Sequence, residues 1–199
     1  MYHTVIIGGG CLGAATAVSL QRKLNKVGKG EKVCLIEKAV LCAAESSRHS
    51  GIVRSANADP DASMMASLST KMWKNLSPIW GLDIELDEFG AIWIAKKNEE
   101  GENPVWTNLS ERMKKINLTF EEIDSKSAIS KCGTTLITDE QESYFFEPAA
   151  FQLDPSILRS TLYSAIDENG VDLFEKTKVD SIIFKGNQIL SCTTNNGKF

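Results

Sequence analysis

The chain has 199 residues, of which 42% are hydrophobic and 24% are charged, as in ordinary folded proteins. This composition argues against a disordered, collagen-like or membrane-embedded protein. The 26 acidic and 22 basic residues give a formal net charge of -4, so no positive field would attract a nucleic acid. The apolar stretches have the length of strands, well short of the roughly 20 residues that cross a bilayer.

The cysteines show neither a zinc pattern nor a disulfide framework, because they are scattered without a C-x-x-C pair: Cys11, Cys34, Cys42, Cys132 and Cys192. A reducing compartment is therefore expected. A strand is expected so soon after the first residue that it leaves no room for a secretory signal. The sequence predicts a cytoplasmic or mitochondrial protein.

The beginning of the chain predicts a strand, a tight turn, a helix and a second strand. Thr4–Ile7 is apolar and β-branched, and residues 12–24 carry small and apolar side chains at helical spacing. Val33–Ile36 has the composition of a second buried strand, which ends at Glu37. This order predicts a βαβ unit with two parallel strands.

Gly8, Gly10 and Gly13 form the pattern G-x-G-x-x-G between that first strand and its helix. The first glycine allows the tight turn, the second admits a pyrophosphate, and the third lets the helix pack against the strand. The helix N-terminus adds N–H donors and a partial positive charge. Glu37 follows near the interval at which a carboxylate binds ribose hydroxyls, so the segment predicts dinucleotide binding and disfavours NADP.

Residues 45–54 favour an elongated, two-ended cofactor. The segment reads Glu-Ser-Ser-Arg-His-Ser-Gly-Ile-Val-Arg and follows the strand that would bind the ribose. Its two adjacent hydroxyls, guanidinium and glycine supply a second set of hydrogen-bond donors for a diphosphate and a ribityl chain.

The middle of the chain departs from the parallel βαβ pattern. Residues 63–80 predict one helix whose core-facing stripe has a spacing of four residues: Met64, Leu68, Met72 and Leu76. Residues 84–95 alternate partly and predict paired strands linked by a turn. Residues 98–143 are charged and mixed, with short helices expected at 110–115 and 125–131, and predict an inserted α+β layer.

The last third returns to a helix followed by strands. A helix is expected from Pro155 to about Glu168, with Gly170 as its C-cap. A strand at 171–174 and a hairpin at 179–194 follow, with the hairpin turning at 185–187.

The sequence resembles the D-amino-acid oxidase superfamily, and within it the branch of sarcosine oxidase, glycine oxidase and dimethylglycine dehydrogenase. The resemblance is carried by residues 5–10 with Gly13, residues 35–38 and residues 46–54. Further along it includes Phe89-Gly90, Glu147-Pro148, residues 153–155 and residues 177–179.

The resemblance implies an α/β fold. Such proteins have a doubly wound, Rossmann-like FAD-binding domain of the glutathione reductase type, interrupted by an inserted α+β substrate domain. Residues 1–82 and 146–199 are then a discontinuous and incomplete FAD-binding domain, and residues 83–145 are part of the substrate domain. Relatives are normally close to twice this length, so the chain is expected to be truncated, with a missing second half or a partner subunit.

The resemblance also implies a set of FAD-binding residues: Gly8, Gly10, Cys11, Leu12, Gly13, Glu37, Lys38, Ser46, Ser47, Arg48, His49 and Val179. Ser46, Ser47 and Arg48 would contact the phosphate and ribityl groups, and the backbone of Val179 would hold the adenine. His49 and Arg54 are the candidate catalytic residues.

Alternatives remain for both catalytic candidates. His49 would carry a covalent link to the flavin, donate a hydrogen bond or relay a proton. Arg54 would act on the flavin or on a substrate carboxylate, or it would form a structural ion pair.

The leading functional expectation is FAD-dependent oxidation of the C–N bond of a small amine or amino acid, of the sarcosine, glycine or dimethylglycine type. The alternatives are an FAD-dependent 2-hydroxy-acid or glycerol-phosphate dehydrogenase and a non-catalytic dinucleotide-binding module. These residues alone are expected to be inactive, because the segments that would bury the isoalloxazine and complete the wall of the substrate pocket are expected after Phe199.

Overall fold

A computed structural model describes residues 2–28, 30–57, 59–82, 84–133 and 135–198. The strands of this part are β1 (Thr4–Ile7), β2 (Val33–Ile36), β3 (Ile52–Val53), β4 (Ala91–Lys96), β5 (Glu121–Ile123), β6 (Glu142–Glu147), β7 (Phe151–Gln152), β8 (Asp172–Phe174), β9 (Val179–Lys185), β10 (Gln188–Thr194) and β11 (Gly197–Lys198). The helices are α1 (Cys11–Val27), α2 (Pro60–Trp73), α3 (Leu76–Trp80), α4 (Pro104–Lys115), α5 (Ser125–Cys132) and α6 (Pro155–Asn169).

The chain forms two compact units. Unit 1 comprises Met1–Ser50, Leu76–Ile84 and Asp154–Phe199, and unit 2 comprises Gly51–Asn75 and Glu85–Leu153. Residues 51–75 and 146–153, expected with the FAD-binding domain, thus belong to unit 2. The division of cofactor and substrate roles between two domains stays a prediction.

Unit 1 contains a parallel sheet in the order β1-β2-β8. β2 is buried along its whole length because it is the central strand and consists of apolar residues. α1 packs small residues such as Ala14 and Ala17 into the core and ends at Gly28, whose positive φ of 67° suits a helix C-cap. The predicted βαβ unit is confirmed.

The last third of unit 1 also follows the sequence prediction. Asp154 caps the first turn of α6 by accepting a hydrogen bond from the amide of Ser156, and Gly170 ends the helix in the left-handed conformation. β9 and β10 form the expected antiparallel hairpin around residues 186–187.

Unit 2 contains an antiparallel sheet in the order β4-β6-β5 and a short pair of β3 with β7. α4 packs Leu109 and Met113 into a cluster with Phe120 and Phe145. The rings of Phe120 and Phe145 stack at 5.4 Å. This aromatic core supports the strands that carry the polar residues of the unit.

The predicted helix at 63–80 is wrong in two respects. The structure divides it into α2 and α3, and the predicted apolar stripe of α2 is exposed: Met64, Leu68 and Met72 are 51–57% accessible. The buried face of α2 carries hydroxyls instead, those of Ser63 and Thr70 among them. Only Leu76, at the start of α3, is in a core as expected.

Hydrogen bonds explain the orientation of α2. Ser63 Oγ bonds both backbone groups of Asn57, and Thr70 Oγ1 lies 3.1 Å from Ser55 Oγ. A buried polar loop segment must be satisfied by hydrogen bonds, which a leucine or methionine cannot supply. The helix therefore turns its polar face inward.

The expected strand pair at 84–95 is also wrong. β4 pairs with β6, and before it only Asp87 forms an isolated bridge, to Gln152, within the described residues. The partner of β4 therefore lies far along the sequence. No helix among the described residues has the length and apolarity required to cross a membrane.

Candidate functional site

The glycine turn joins β1 to α1 in unit 1. Gly8 has a φ of +108°, which side chains other than glycine rarely adopt. A Cβ on Gly13 would overlap the carbonyl oxygen of Gly8, and a Cβ on Gly10 would lie 3.2 Å from Ser46 Oγ. The turn is thus as close to the helix and to the neighbouring loop as glycine allows.

Glu37 fastens this turn to the end of β2. Its Oε2 accepts a hydrogen bond from the amide of Gly9 at 2.7 Å, and its Oε1 accepts one from Ala39 at 2.8 Å. A carboxylate has about four lone-pair sites, so both oxygens can still accept a ribose hydroxyl. The side chain is only half-buried, which leaves it accessible to a ligand.

The serine-rich segment lies against the same turn. Residues 45–47 form a short 3-10 helix, and Ser46 Oγ accepts a hydrogen bond from the amide of Cys11 at 3.0 Å. His49 Nε2 lies 3.1 Å from the carbonyl oxygen of Ser46, and Ser47 Oγ donates to the carbonyl of Ala44. These contacts bring Ser46 to the N-terminus of α1.

The other predicted cofactor residues of unit 1 differ in accessibility. Leu12 is 82% exposed, and Lys38, Arg48 and His49 are also exposed. Val179, the first residue of β9, packs against the cluster that includes Ile36 of β2.

Two thiols of unit 1, that of Cys42 next to the glycine turn and that of Cys34 in β2, are buried and protonated. Burial raises the pKa of Cys42 to about 11 and that of Cys34 to about 12, with smaller contributions from nearby Cys11 and Asp172 respectively. A neutral thiol is a poor nucleophile and a poor metal ligand. Among the described residues no group of three or more His, Cys, Asp or Glu side chains could hold a metal ion.

The geometry of unit 1 fits the adenosine diphosphate portion of FAD. Gly8 and Gly10 place no side chain beside the N-terminus of α1, and the first turn of α1 carries no acidic residue that would repel a pyrophosphate. Glu37 retains lone pairs for ribose, and Ser46 adds a hydroxyl at the helix N-terminus.

Arg54 is placed in unit 2, directly after β3. Its guanidinium lies over the ring of Trp93, with Cζ 4.2 Å from the centroid, and donates to the carbonyl of Ala56 at 3.1 Å. The side chain is otherwise exposed. A cation stacked on an aromatic face keeps donors available for an anion.

A pocket of about 250 Å³ opens beside this guanidinium. Its lining combines one positive charge with apolar and aromatic walls: Arg54, Asn57, Trp93, Val105, Trp106 and Leu109. The rings of Trp93 and Trp106 are 5.1 Å apart. Such a pocket suits a small ligand with an anionic group and an apolar part.

From the sequence, Glu147 is only part of the family resemblance, and no role in a site is predicted for it. It is fully buried at the end of β6 and bonds the amides of Ser55 and Ala56 and the indole of Trp93. One signal was available: Glu147 shares the strand face of Phe145, a position where an apolar residue is expected.

Comparison with known proteins gives a family and a fold. The family model of FAD dependent oxidoreductases, DAO, matches residues 3–199. The chain is similar to the mitochondrial pyruvate dehydrogenase phosphatase regulatory subunit of Mus musculus, with 23% identity over 196 residues that cover 98% of this chain and 21% of that protein.

Solved structures of amino-acid enzymes share the fold. L-proline dehydrogenase from P. horikoshii has 23% identity and a TM-score of 0.85, over 99% of this chain and 50% of that one. L-amino acid deaminase from Proteus vulgaris has 21% identity and a TM-score of 0.81, over 100% and 45%. Glycine oxidase from Bacillus cereus has 20% identity and a TM-score of 0.78, over 100% and 52%.

The structural similarity at these identities establishes the α/β fold alone. The chain spans about half the length of these solved structures and about a fifth of the curated relative. The family model, in contrast, covers almost the whole sequence and confirms the resemblance expected from the glycine turn and the serine-rich segment. The chain therefore belongs to the DAO family of FAD dependent oxidoreductases, and its cofactor is FAD.

Proposed function

We propose that these residues belong to a flavoenzyme that oxidises the C–N bond of a small amine or amino acid. Bound FAD supplies the chemistry by accepting a hydride equivalent from the carbon next to nitrogen. The residues of this chain would bind the cofactor and orient the substrate. The names of the structural relatives, which include an L-proline dehydrogenase and a glycine oxidase, support an amino-acid substrate.

The cofactor residues of this proposal surround the glycine turn. Gly8, Gly10 and Gly13 would give the diphosphate access to the backbone, with the amides of Cys11 and Leu12 at the helix N-terminus as donors. Glu37 would hold the ribose. A fully extended cofactor would continue past Ser46, and the remaining contacts are assigned as the resemblance implies them: Lys38, Ser47, Arg48, His49 and Val179.

The role proposed for His49 is that of a hydrogen-bonding group near the flavin. The contact between its Nε2 and the carbonyl of Ser46 supports this role, because the contact limits the ring's orientation. Mass spectrometry of the denatured protein would test the alternative, since a covalent flavin adds its mass to the polypeptide.

The pocket beside Arg54 is the observation that carries the substrate assignment. A guanidinium binds a carboxylate through two parallel hydrogen bonds, and the two tryptophan rings would shield one side of the pair from water. We therefore propose a substrate that carries a carboxylate near the oxidised C–N bond.

Anaerobic flavin reduction in the full-length protein tests this assignment. Amino acids should bleach the flavin absorbance, whereas 2-hydroxy acids should not. Arg54→Met should raise the KM for an amino acid by roughly 10- to 100-fold, because a hydrogen bond to a charged group contributes about 1.5–3 kcal/mol. Lys96→Met, which removes an exposed charge at the end of β4, is the control and should leave KM unchanged. Equal reduction by hydroxy acids, or an unchanged KM in Arg54→Met, would contradict the proposal.

A second candidate is a non-catalytic FAD-binding module. The curated relative is by name a regulatory subunit. Its name also says that it is mitochondrial, which supports a mitochondrial location as one of the two predicted for this protein. A regulatory role would require the fold and the cofactor without turnover. Stable FAD binding by the full-length protein, with no flavin reduction by any amine or alcohol, would favour this candidate over the enzyme.

A further inference from the structure

We infer that Glu147 is a positioning residue that holds Arg54 and Trp93 in the geometry that binds a substrate carboxylate, an inference that rests on the proposed function. Glu147 is 0% exposed and has no direct part in the proposed chemistry. Burying a carboxylate costs free energy unless hydrogen bonds satisfy its oxygens. The partners of this carboxylate therefore indicate its role.

The carboxylate of Glu147 joins the two supports of the guanidinium. Oε1 accepts hydrogen bonds from the amides of Ser55 at 2.5 Å and Ala56 at 3.1 Å, the residues that follow Arg54 in the chain. Oε2 accepts one from the indole Nε1 of Trp93 at 3.1 Å. One side chain thus fixes both the backbone that carries the guanidinium and the ring beneath it.

Electrostatics couples the three groups further. An anion that accepts a hydrogen bond from the indole N–H polarises the ring and makes its face more attractive to a cation. The guanidinium of Arg54 lies on that face, 4.2 Å from the centroid. Ser55 Oγ is hydrogen-bonded to Thr70 Oγ1 of α2, so that helix also holds the backbone segment that follows Arg54. Glu147 therefore limits where the Arg54 donors point.

A glutamine at this position cannot make all three hydrogen bonds. Its single oxygen can accept from Ser55 and Ala56, but its NH₂ group would then face the indole N–H of Trp93, donor against donor. Trp93→Phe removes that N–H and keeps an aromatic face. Glu147→Gln should therefore displace Arg54 more when residue 93 is the natural tryptophan than when it is a phenylalanine.

The test measures discrimination between an amino acid and its neutral amide in the full-length flavoprotein. Glu147→Gln should lower kcat/KM for the amino acid by roughly 10- to 100-fold, chiefly through KM, because a small misplacement of a binding group is costly. The amide should be affected much less. The double variant Glu147→Gln/Trp93→Phe should lose less discrimination than the product of the fold-losses measured for the two single variants.

Glu142→Gln is the matched control, because Glu142 lies on the same strand and its carboxylate accepts a hydrogen bond from the hydroxyl of Tyr144, away from Arg54 and Trp93 in the sequence. It should leave discrimination unchanged. Flavin content and the thermal unfolding midpoint identify any variant that fails to fold. If Glu147→Gln does not fold, Trp93→Phe alone serves as the test and should reduce discrimination by itself.

The outcomes separate this inference from the proposed function. An equal loss for the amino acid and the amide, or independent effects of the Glu147 and Trp93 substitutions, would overturn the positioning role. An unchanged discrimination in Trp93→Phe would overturn it too. If Arg54→Met abolishes discrimination while the Glu147 variants keep it, this inference alone fails. If the wild-type protein does not discriminate, the proposed carboxylate site itself fails.

Discussion

Glu37 in unit 1 and Glu147 in unit 2 each hold a loop by hydrogen bonds, and the two carboxylates differ in how much of each remains accessible. Glu37 in unit 1 accepts hydrogen bonds from two backbone amides and remains half-buried. Glu147 in unit 2 accepts hydrogen bonds from two backbone amides and one indole N–H, and it has no exposed surface. A carboxylate at the rim of a turn can therefore serve a ligand, whereas an enclosed one serves the residues around it.

The largest effect is expected at the turn that Glu37 fastens. Gly13→Ala should reduce stability by about 3 kcal/mol and abolish FAD binding, because its Cβ would overlap the Gly8 carbonyl oxygen and push the helix from the strand. Denaturant unfolding and flavin content measure both effects.

Gly30→Ala is the control for this substitution, because a Cβ there meets nothing within 4 Å. Its positive φ of 64° should still cost about 1 kcal/mol. If both alanine variants lose the same stability, the close contact of helix and strand is not what requires Gly13.

The next largest effect is expected at Glu37 and tests whether this carboxylate binds the ribose in addition to holding the glycine turn. Glu37→Ala should weaken FAD binding by about 2 kcal/mol, or roughly 30-fold in Kd, because both a turn contact and a ribose acceptor are lost. Glu37→Gln should fall between this variant and the wild type. Fluorescence titration of the apoprotein with FAD gives the affinities. An unchanged Kd in both variants would show that Glu37 serves only the turn, as Glu147 serves its loop.

A smaller effect is expected at the two faces of α2. Thr70→Val should reduce stability by about 1 kcal/mol, because the buried hydroxyl of Ser55 loses its partner. Leu68→Gln, on the exposed face, should change stability by less than about 0.5 kcal/mol. Thermal unfolding of both variants measures the contrast. A larger loss in Leu68→Gln would mean that the apolar face, not the hydroxyl face, is the packed one.

The smallest effect near neutral pH comes from the buried thiols. The pKa of Cys34 is raised from 9.0 to about 12 by burial, so the native state keeps a proton that the unfolded state loses. This contribution to stability is complete below pH 9 and declines as the pH rises towards 12. The free energy of unfolding, measured against pH, should fall in that window for the wild type and less steeply for Cys34→Ala. Parallel curves for the two proteins would exclude the thiol as a cause.

Local sequence patterns predicted most of unit 1 and the family. The apolar strand, the glycine spacing and Glu37 follow one another within the first 37 residues, in the order typical of a dinucleotide-binding βαβ unit. For this reason the βαβ unit, α6 with its Asp154 and Gly170 caps, and the last hairpin could all be predicted.

Unit 2 could not be predicted in the same way, because its order depends on residues far apart in the chain. β4 pairs with a strand more than forty residues later, as Trp93 opposite Phe145 shows, and a local alternation could not reveal this partner. The apolar spacing of α2 predicts a core stripe, yet the hydroxyls of the opposite face bond the loop at 55–57. The pocket beside Arg54 likewise needs a tertiary contact with Trp93 and with Glu147.

The outward face of α2 has a chemical consequence of its own. Met64, Met65 and Met72 present their thioether sulfurs on an accessible surface, whereas Met113 is enclosed in the aromatic core. Peroxide would convert the first three to sulfoxides and leave the fourth intact. Such oxidation would make the apolar surface of α2 polar, while the hydrogen bonds from the opposite face of α2 to the loop at 55–57 would remain.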